Sequence, residues 1–442
     1  MRYVDSGHGK IPLISLIAIL SISLTVNLPG LAISPIMGKL HEVFKDVTEL
    51  EIQLLTVLPN LITIPFILCS GKICTRQNQL YILAIGLGLY TLTGVLYFFA
   101  NTMIELILLS CLLGVGCGLV IPLAASLVSQ YFSGKARTRQ LGMKSSISNF
   151  TVIFATLFVG WMATIQWHLS FIVYMIPIIP LCLIPFISEK FITKNSIAGT
   201  QPQTTQATAS ATANNSPAKA PFIAFPGKSA IIMLFCLMGL YFVMTYGTEV
   251  VSYYLPFSME HYHLNTGDVG VATAMFFLAA TLSGFALTYI IDFFRERTMQ
   301  VSIFICAVGL FWVVIFHGQY WAYIVGVFLM GLGYGVVQPV IYDKTSYVAP
   351  TEKQSTSYFS YLLTCNYIGI SVVPFIIGAA KRVFGATDDV NFSFLFNGII
   401  IALVVVLAIW KRKSFVFEAD PTYYGTLNPP IPGLAKQTSK NS

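Results

Sequence analysis

Residues 112–123 (LLGVGCGLVIPL) return 217 positions later as residues 329–340 (LMGLGYGVVQPV), with Leu, three Gly, Val and Pro in identical places. The same offset carries Glu51 onto Asp268, Asn149 and Phe150 onto Asn366 and Tyr367, Gly30 onto Gly247, and Thr75 onto Asp292. One offset that serves separate regions marks two copies of one unit. A pseudo-twofold polytopic protein alternates access to a site between its halves, so the repeat points towards transport.

Composition sets the class of that unit. With 56% hydrophobic and only 10% charged residues, a soluble fold would lack the polar residues to cover its surface. Apolar runs of about 20 residues, enough to cross ~30 Å of hydrocarbon, fall near 11–37, 50–70, 80–100, 103–131, 141–164, 167–188, 228–255, 268–291, 299–317, 320–345, 355–379 and 391–411. The expectation is an all-α polytopic membrane protein with 12 transmembrane helices in two pseudo-symmetric six-helix bundles. The first run is too long for a signal segment and is expected to stay as a helix.

The bundles are expected over 1–188 and 228–411. Residues 189–227 form the linker; its centre is Ala, Thr, Gln, Asn and Ser, too polar to bury surface of its own. The tail, 412–442, with Pro421, Pro429, Pro430 and Pro432, reads as similarly unstructured. Placing both termini in the cytoplasm puts every Lys and Arg inside except Lys39, Lys45, Lys381 and Arg382, as the bias of positive loops requires. The net charge of +7 then reflects topology and contact with anionic membrane lipid, and no nucleic acid partner is needed. The cysteines stand singly, with no CxxC pair or His–Cys cluster, so packing is their expected role. No metal and no cofactor is expected. With no nucleophile–base pair or phosphate loop, an enzyme is not expected either.

Two six-helix halves with a central linker resemble the major facilitator superfamily over about residues 11–411. The loop after helix 2 is the most specific mark. The family pattern is Gly-x-Leu-Ala-Asp-Arg-x-Gly-Arg, and this chain has Gly71, Lys72, Ile73, Cys74, Thr75, Arg76, Gln77, Asn78 and Gln79. Gly71 and Arg76 are kept and the Asp is Thr75; in the second half Asp292 takes the matching place, followed by Arg295. The resemblance implies a clasp in which a carboxylate pairs across the interface and biases the inward and outward states.

The resemblance also implies a cavity lined by helices 1, 4, 7 and 10. Its substrate-binding candidates are Asn27 on helix 1, Ser110 on helix 4, Tyr241, Thr245 and Glu249 on helix 7, and Tyr334, Gln338 and Tyr342 on helix 10. The last three are spaced i, i+4, i+8 and share one face. An aromatic stripe is more often packing, but a lone amide in hydrocarbon wants a partner or a wet cavity. Asn149 and Asn366 read as interhelical ties, and the Gly ladders as sites of close backbone approach.

Glu249 is expected ~12 Å outward of its helix midpoint, and Asp343 and Lys344 at the cytoplasmic end of helix 10. No carboxylate is expected near the bilayer centre, where a proton relay needs one. The Arg that the family's proton-coupled antiporters place four residues before Gly114 is Ser110. The resulting expectation is a monomeric permease of a bacterial cytoplasmic membrane for a small amphipathic organic solute, conjugated bile salts being the specific candidate. A proton-coupled multidrug antiporter and a non-transporting membrane sensor are the alternatives.

Overall fold

A computed structural model describes residues 3–7, 10–31, 40, 43–44, 49–75, 78–187, 227–263, 266–349, 352–386, 389 and 391–418. Most of the inter-half linker, Arg76 and the tail beyond 418 lie outside the described residues. Nine helices among the described residues are long and apolar enough to cross a membrane. Three shorter apolar helices, Leu13–Thr25, Val57–Ile73 and Val269–Phe285, join them.

In chain order, helix 1 is Leu13–Ser21 with a tighter turn Ile22–Thr25, helix 2 Glu49–Ile73, helix 3 Gln79–Leu96, helix 4 Met103–Tyr131, helix 5 Gly134–Ile165 and helix 6 Trp167–Phe186. Helix 7 comes in two pieces, Gly227–Thr248 and Val250–His261. Helix 8 is Thr266–Phe285 continued by Leu287–Phe294, with the Ile290 N–H donating to the Ala286 carbonyl across the join. Helices 9 to 12 are Thr298–Ile315, Tyr320–Val348, Glu352–Phe384 and Phe392–Trp410.

The repeat is visible in the packing. Gly114 and Gly118 press helix 4 against Pro59 and Phe66 of helix 2, while Gly116 presses it against Tyr90 of helix 3. Their mates Gly331 and Gly335 meet Phe276 and Ala280 of helix 8, and Gly333 meets Ser302 of helix 9. A Cβ at Gly116 would stand 2.9 Å from the Tyr90 nitrogen, and one at Gly335 2.6 Å from the Ala280 Cα. Each approach is closer than any side chain permits, so each alternate Gly docks a different neighbour. The asparagine ties repeat as well: Asn27 Nδ2 donates to Asn149 Oδ1 (3.2 Å), and the Thr245 hydroxyl donates to Asn366 Oδ1 (2.7 Å).

The halves meet along helix 2 on helix 11 and helix 5 on helix 8. Ser357 Oγ donates to the Gly71 carbonyl (2.6 Å), and Ser146 Oγ to the Thr281 carbonyl (2.8 Å). Phe293, Phe375 and Val383 are among the large apolar side chains left on the outside, where hydrocarbon is their solvent.

Two described ends gather on one face. A short hairpin, Tyr3–Asp5 paired with Lys10–Pro12, sits against the turn between helices 4 and 5, where the Ser133 N–H donates to the Ser6 carbonyl (2.9 Å). The residues after helix 12 depart from the unstructured tail expected there. Phe415, Val416, Phe417 and Glu418 are buried, because Lys344 donates to the carbonyls of Phe415 and Glu418 and packs on the Phe415 ring. We call this the terminal face.

A second departure is the start of helix 5. Hydropathy places it near residue 141, but the charged stretch from Lys135 is already helical. Two of its charges, Lys135 and Arg137, pair with carboxylates of the other half.

Candidate functional site

Three layers of contact join the halves inward from the terminal face. The outermost is the exposed pair Lys135–Asp292 at 2.6 Å, which joins the start of helix 5 to the end of helix 8. Asp292, the carboxylate that the loop pattern singles out, thus pairs with the other half, while the hydroxyl of its first-half mate Thr75 donates to the Lys72 carbonyl (2.7 Å) in a local turn. Gly71 is packed directly against Ser360 of helix 11. Arg295 is exposed in the turn after helix 8, with a positive φ of 48°.

The middle layer is buried. Arg137 Nε donates to Asp343 Oδ1 at 2.7 Å, and the Thr138 hydroxyl donates to Asp343 Oδ2 at 2.8 Å. The guanidinium also lies 4.1 Å from the centre of the Tyr347 ring. On the opposite side of the interface the matching joint is made of hydroxyls: Ser126 with Thr356 (2.7 Å) and Ser129 with Ser355 (3.1 Å).

The innermost layer holds the aromatic stripe of helix 10. Ser145 Oγ of helix 5 donates to Gln338 Oε1 (2.5 Å), and Gln338 Nε2 donates to the hydroxyls of Tyr241 (3.0 Å) and Tyr342 (3.3 Å). Those two hydroxyls are themselves 2.8 Å apart. Tyr334 reaches the Thr245 hydroxyl at 3.2 Å, one turn further from the terminal face. Tyr241, Gln338 and Tyr342 therefore form one hydrogen-bonded network between helices 7 and 10, which Ser145 extends into the other half, and Thr245 and Tyr334 pair beside it. The amide of Gln338 has the partners that its burial demands.

Lys144 Nζ lies 4.5 Å from the centre of the Tyr342 ring. Counted from Gly134, Lys144 is ten residues into helix 5, about 15 Å along its axis. That is much deeper than the cytoplasmic mouth where hydropathy puts it.

Glu249 also lies elsewhere than expected. Helix 7 continues to His261, and its apolar stretch Ser229–Met259 centres on Met244. Glu249 is therefore five residues from the middle, about 7 Å, at the break between the two pieces of the helix. It is half-buried, within electrostatic range of Tyr241, Tyr334 and Tyr367. Among the described residues no Lys or Arg lies within ion-pair distance of it.

Neither Ser110 nor Asn27 joins these groups. Ser110 is fully buried and shares a 2.8 Å hydrogen bond with Tyr97, so it ties helix 4 to helix 3 inside the first half. Asn27 serves the helix 1–helix 5 tie; its partner's Nδ2 and the nearby Ser23 hydroxyl are buried without hydrogen-bond partners. Arg76 falls outside the described residues. Reasoning from the sequence leaves out Arg137, Thr138 and Ser145, and offers Lys144 to an anionic solute only as a fixed cation near the cytoplasmic mouth. The signal for Arg137 and Thr138 is a charged, helix-compatible stretch directly before the apolar run 141–164, and Ser145 stands inside that run. The cysteines are free thiols, Cys74, Cys117 and Cys306 being buried.

The chain matches the Major Facilitator Superfamily over residues 13–265 and 237–423. No curated protein matches it in sequence. Among solved structures it is similar to the proton:xylose symporter XylE of that superfamily, bound to 6-bromo-6-deoxy-D-glucose, with a TM-score of 0.66 at 16% identity over 96% of this chain and 98% of that one. It is also similar to the human organic anion transporter MFSD10 (TETRAN), with a TM-score of 0.65 at 12% identity over 89% of this chain and 98% of the other. At those identities the likeness concerns the fold alone. Twelve apolar helices in two matching halves and a family match spanning both halves lead to one conclusion: the chain belongs to the Major Facilitator Superfamily of membrane transporters.

Proposed function

We propose that this transporter carries an amphipathic organic anion by alternating access, conjugated bile salts being the specific candidate, in a bacterial cytoplasmic membrane with both termini in the cytoplasm. The observation that supports the solute class is the network of Ser145, Tyr241, Gln338 and Tyr342 across the interface. It gathers aromatic rings suited to a rigid apolar body with amide and hydroxyl groups suited to scattered polar substituents, paired with one another in this closed arrangement. With the terminal face as the cytoplasmic one, the three layers of contact close that side. Opening it requires the buried Arg137–Asp343 pair to part.

The test is entry of labelled taurocholate into sealed vesicles that hold the purified chain, with and without an imposed proton gradient. Saturable entry in both conditions is expected, and absence of saturable entry in both overturns the bile-salt assignment.

One observation favours a second reading, proton-coupled transport. Glu249 lies at a break in helix 7 without a basic partner among the described residues, and nearer the middle of the membrane than its place in the sequence implied. In that reading flux needs the gradient, and Glu249→Gln uncouples or abolishes it. In the first reading Glu249→Gln leaves flux within about twofold of the parent, since the carboxylate is then one polar group among several.

A further inference from the structure

Three basic side chains are buried near the interface between the halves, and their surroundings differ. Arg137 has the Asp343 carboxylate and the Tyr347 ring. Lys344 has two backbone carbonyls and the Phe415 ring. Lys144 is 2% exposed, and among the described residues its ammonium meets one group, the face of Tyr342. No carboxylate stands within ion-pair distance and no carbonyl accepts from it.

A buried ammonium without a counter-charge is costly by several kcal/mol even after relaxation, and a cation–π contact offsets only about 0.5–2 kcal/mol of that. Folding by itself gains nothing from such a group. A Met of similar length would fill the space without the desolvation cost. The ammonium is also placed where the solute network runs: its neighbour Ser145 holds Gln338, and the ring beneath it is the Tyr342 that Gln338 and Tyr241 hold by its hydroxyl. The charge is thus carried by one half of the protein and pressed against a substrate-facing ring of the other.

We propose that Lys144 is the receptor for the anionic group of the solute, a carboxylate or sulfonate docking on its ammonium in place of the Tyr342 face. This rests on the reading of the network as the solute site. Docking supplies the missing counter-charge, and it removes the one charged contact that Lys144 makes between the halves. Solute binding and loosening of the inner layer are then the same event, a differential interaction of the kind that shifts a conformational equilibrium.

The test is binding to the full-length chain in lipid nanodiscs, with decanesulfonate, decanoate and uncharged decanol as probes. The parent, Lys144→Met and Lys144→Arg are compared, and thermal unfolding of each is measured without probe. Expected is a preference of the parent for both anions over decanol by at least about tenfold, the usual weight of a charge-assisted contact. Lys144→Met should lose that preference with decanol binding unchanged, and Lys144→Arg should keep it. Unfolding of Lys144→Met should come at the same or a higher temperature. A structural role would lower it instead, which would overturn the proposal. No anion preference in the parent, or a preference that survives Lys144→Met, overturns it as well. A Lys144-dependent preference without taurocholate entry into vesicles would leave the anion site standing and remove the bile-salt reading alone.

Discussion

The two joints that close the terminal face are related by the internal repeat, yet they are chemically unlike. Helix 5 meets helix 10 through Arg137–Asp343, Ser145–Gln338 and Lys144 over Tyr342. The mate of that joint, helix 11 on helix 4, has the hydroxyl pairs Ser126–Thr356 and Ser129–Ser355. The offset of 217 sets Asp343 opposite Ser126, Tyr342 opposite Ala125, Gln338 opposite Ile121 and Tyr334 opposite Cys117. The Gly ladders, by contrast, are the same in both halves, and Asn149 and Asn366 each accept from the first helix of their half. Symmetry is kept where helices must approach each other within a half. It is broken where the halves face each other: one joint carries an ion pair, an amide and an aromatic ring, and its mate carries hydroxyls.

That contrast is broken most directly at Arg137. Truncation to Ala leaves Asp343 buried with the Thr138 hydroxyl alone, and removing one partner of a buried pair costs about 3–5 kcal/mol. The closed terminal face should lose population by roughly 10²-fold or more. Hydrogen exchange of the backbone at 134–140 and 343–348 should rise accordingly, while the helix 4–helix 11 joint changes less. The double change Arg137→Met with Asp343→Leu should restore much of the protection, since no charge is then left alone. Equal exchange in parent and Arg137→Ala would mean that the ionic joint does not hold the face closed.

How much of this the sequence showed depends on the kind of residue. The repeat, the number of spans and the stripe Tyr334, Gln338, Tyr342 were legible because periodicity and hydropathy report on single helices. The Gly and Asn positions were legible because the repeat states them twice. Ser110 was misplaced, since a hydroxyl on helix 4 looks the same whether it faces the interface or Tyr97. Arg137 was illegible for a physical reason: hydropathy assigns charge to solvent, and only the tertiary structure shows a charge neutralised by another helix; Lys144 was legible as a cation but not as a buried one. Glu249 was placed too far out because helix 7 runs on past Pro256 to His261, so the middle of the span moved. The segment Phe415–Glu418 was read as solvated tail, although two of its four residues are Phe and one is Val.

Two smaller effects sharpen the comparison. Ser126→Ala and Thr356→Ala, alone and together, form a double-mutant cycle on the hydroxyl joint. A neutral hydrogen bond contributes about 0.5–1.5 kcal/mol net, so the coupling measured by chemical unfolding should stay within that range. A coupling as large as that of Arg137 with Asp343 would erase the distinction between the joints. The smallest effect belongs to the exposed Lys135–Asp292 pair, whose side chains are 69% and 56% exposed. Its geometry is good, but water competes for both charges and salt screens them, which leaves about 0.2–1 kcal/mol at low ionic strength. Asp292→Asn should therefore raise exchange at the ends of helices 5 and 8 only slightly in dilute buffer, and not at all in 1 M salt. If the effect persists in high salt, Asp292 acts through something other than an open ion pair, and the outermost layer would have to be counted with the buried joint rather than as its solvated rim.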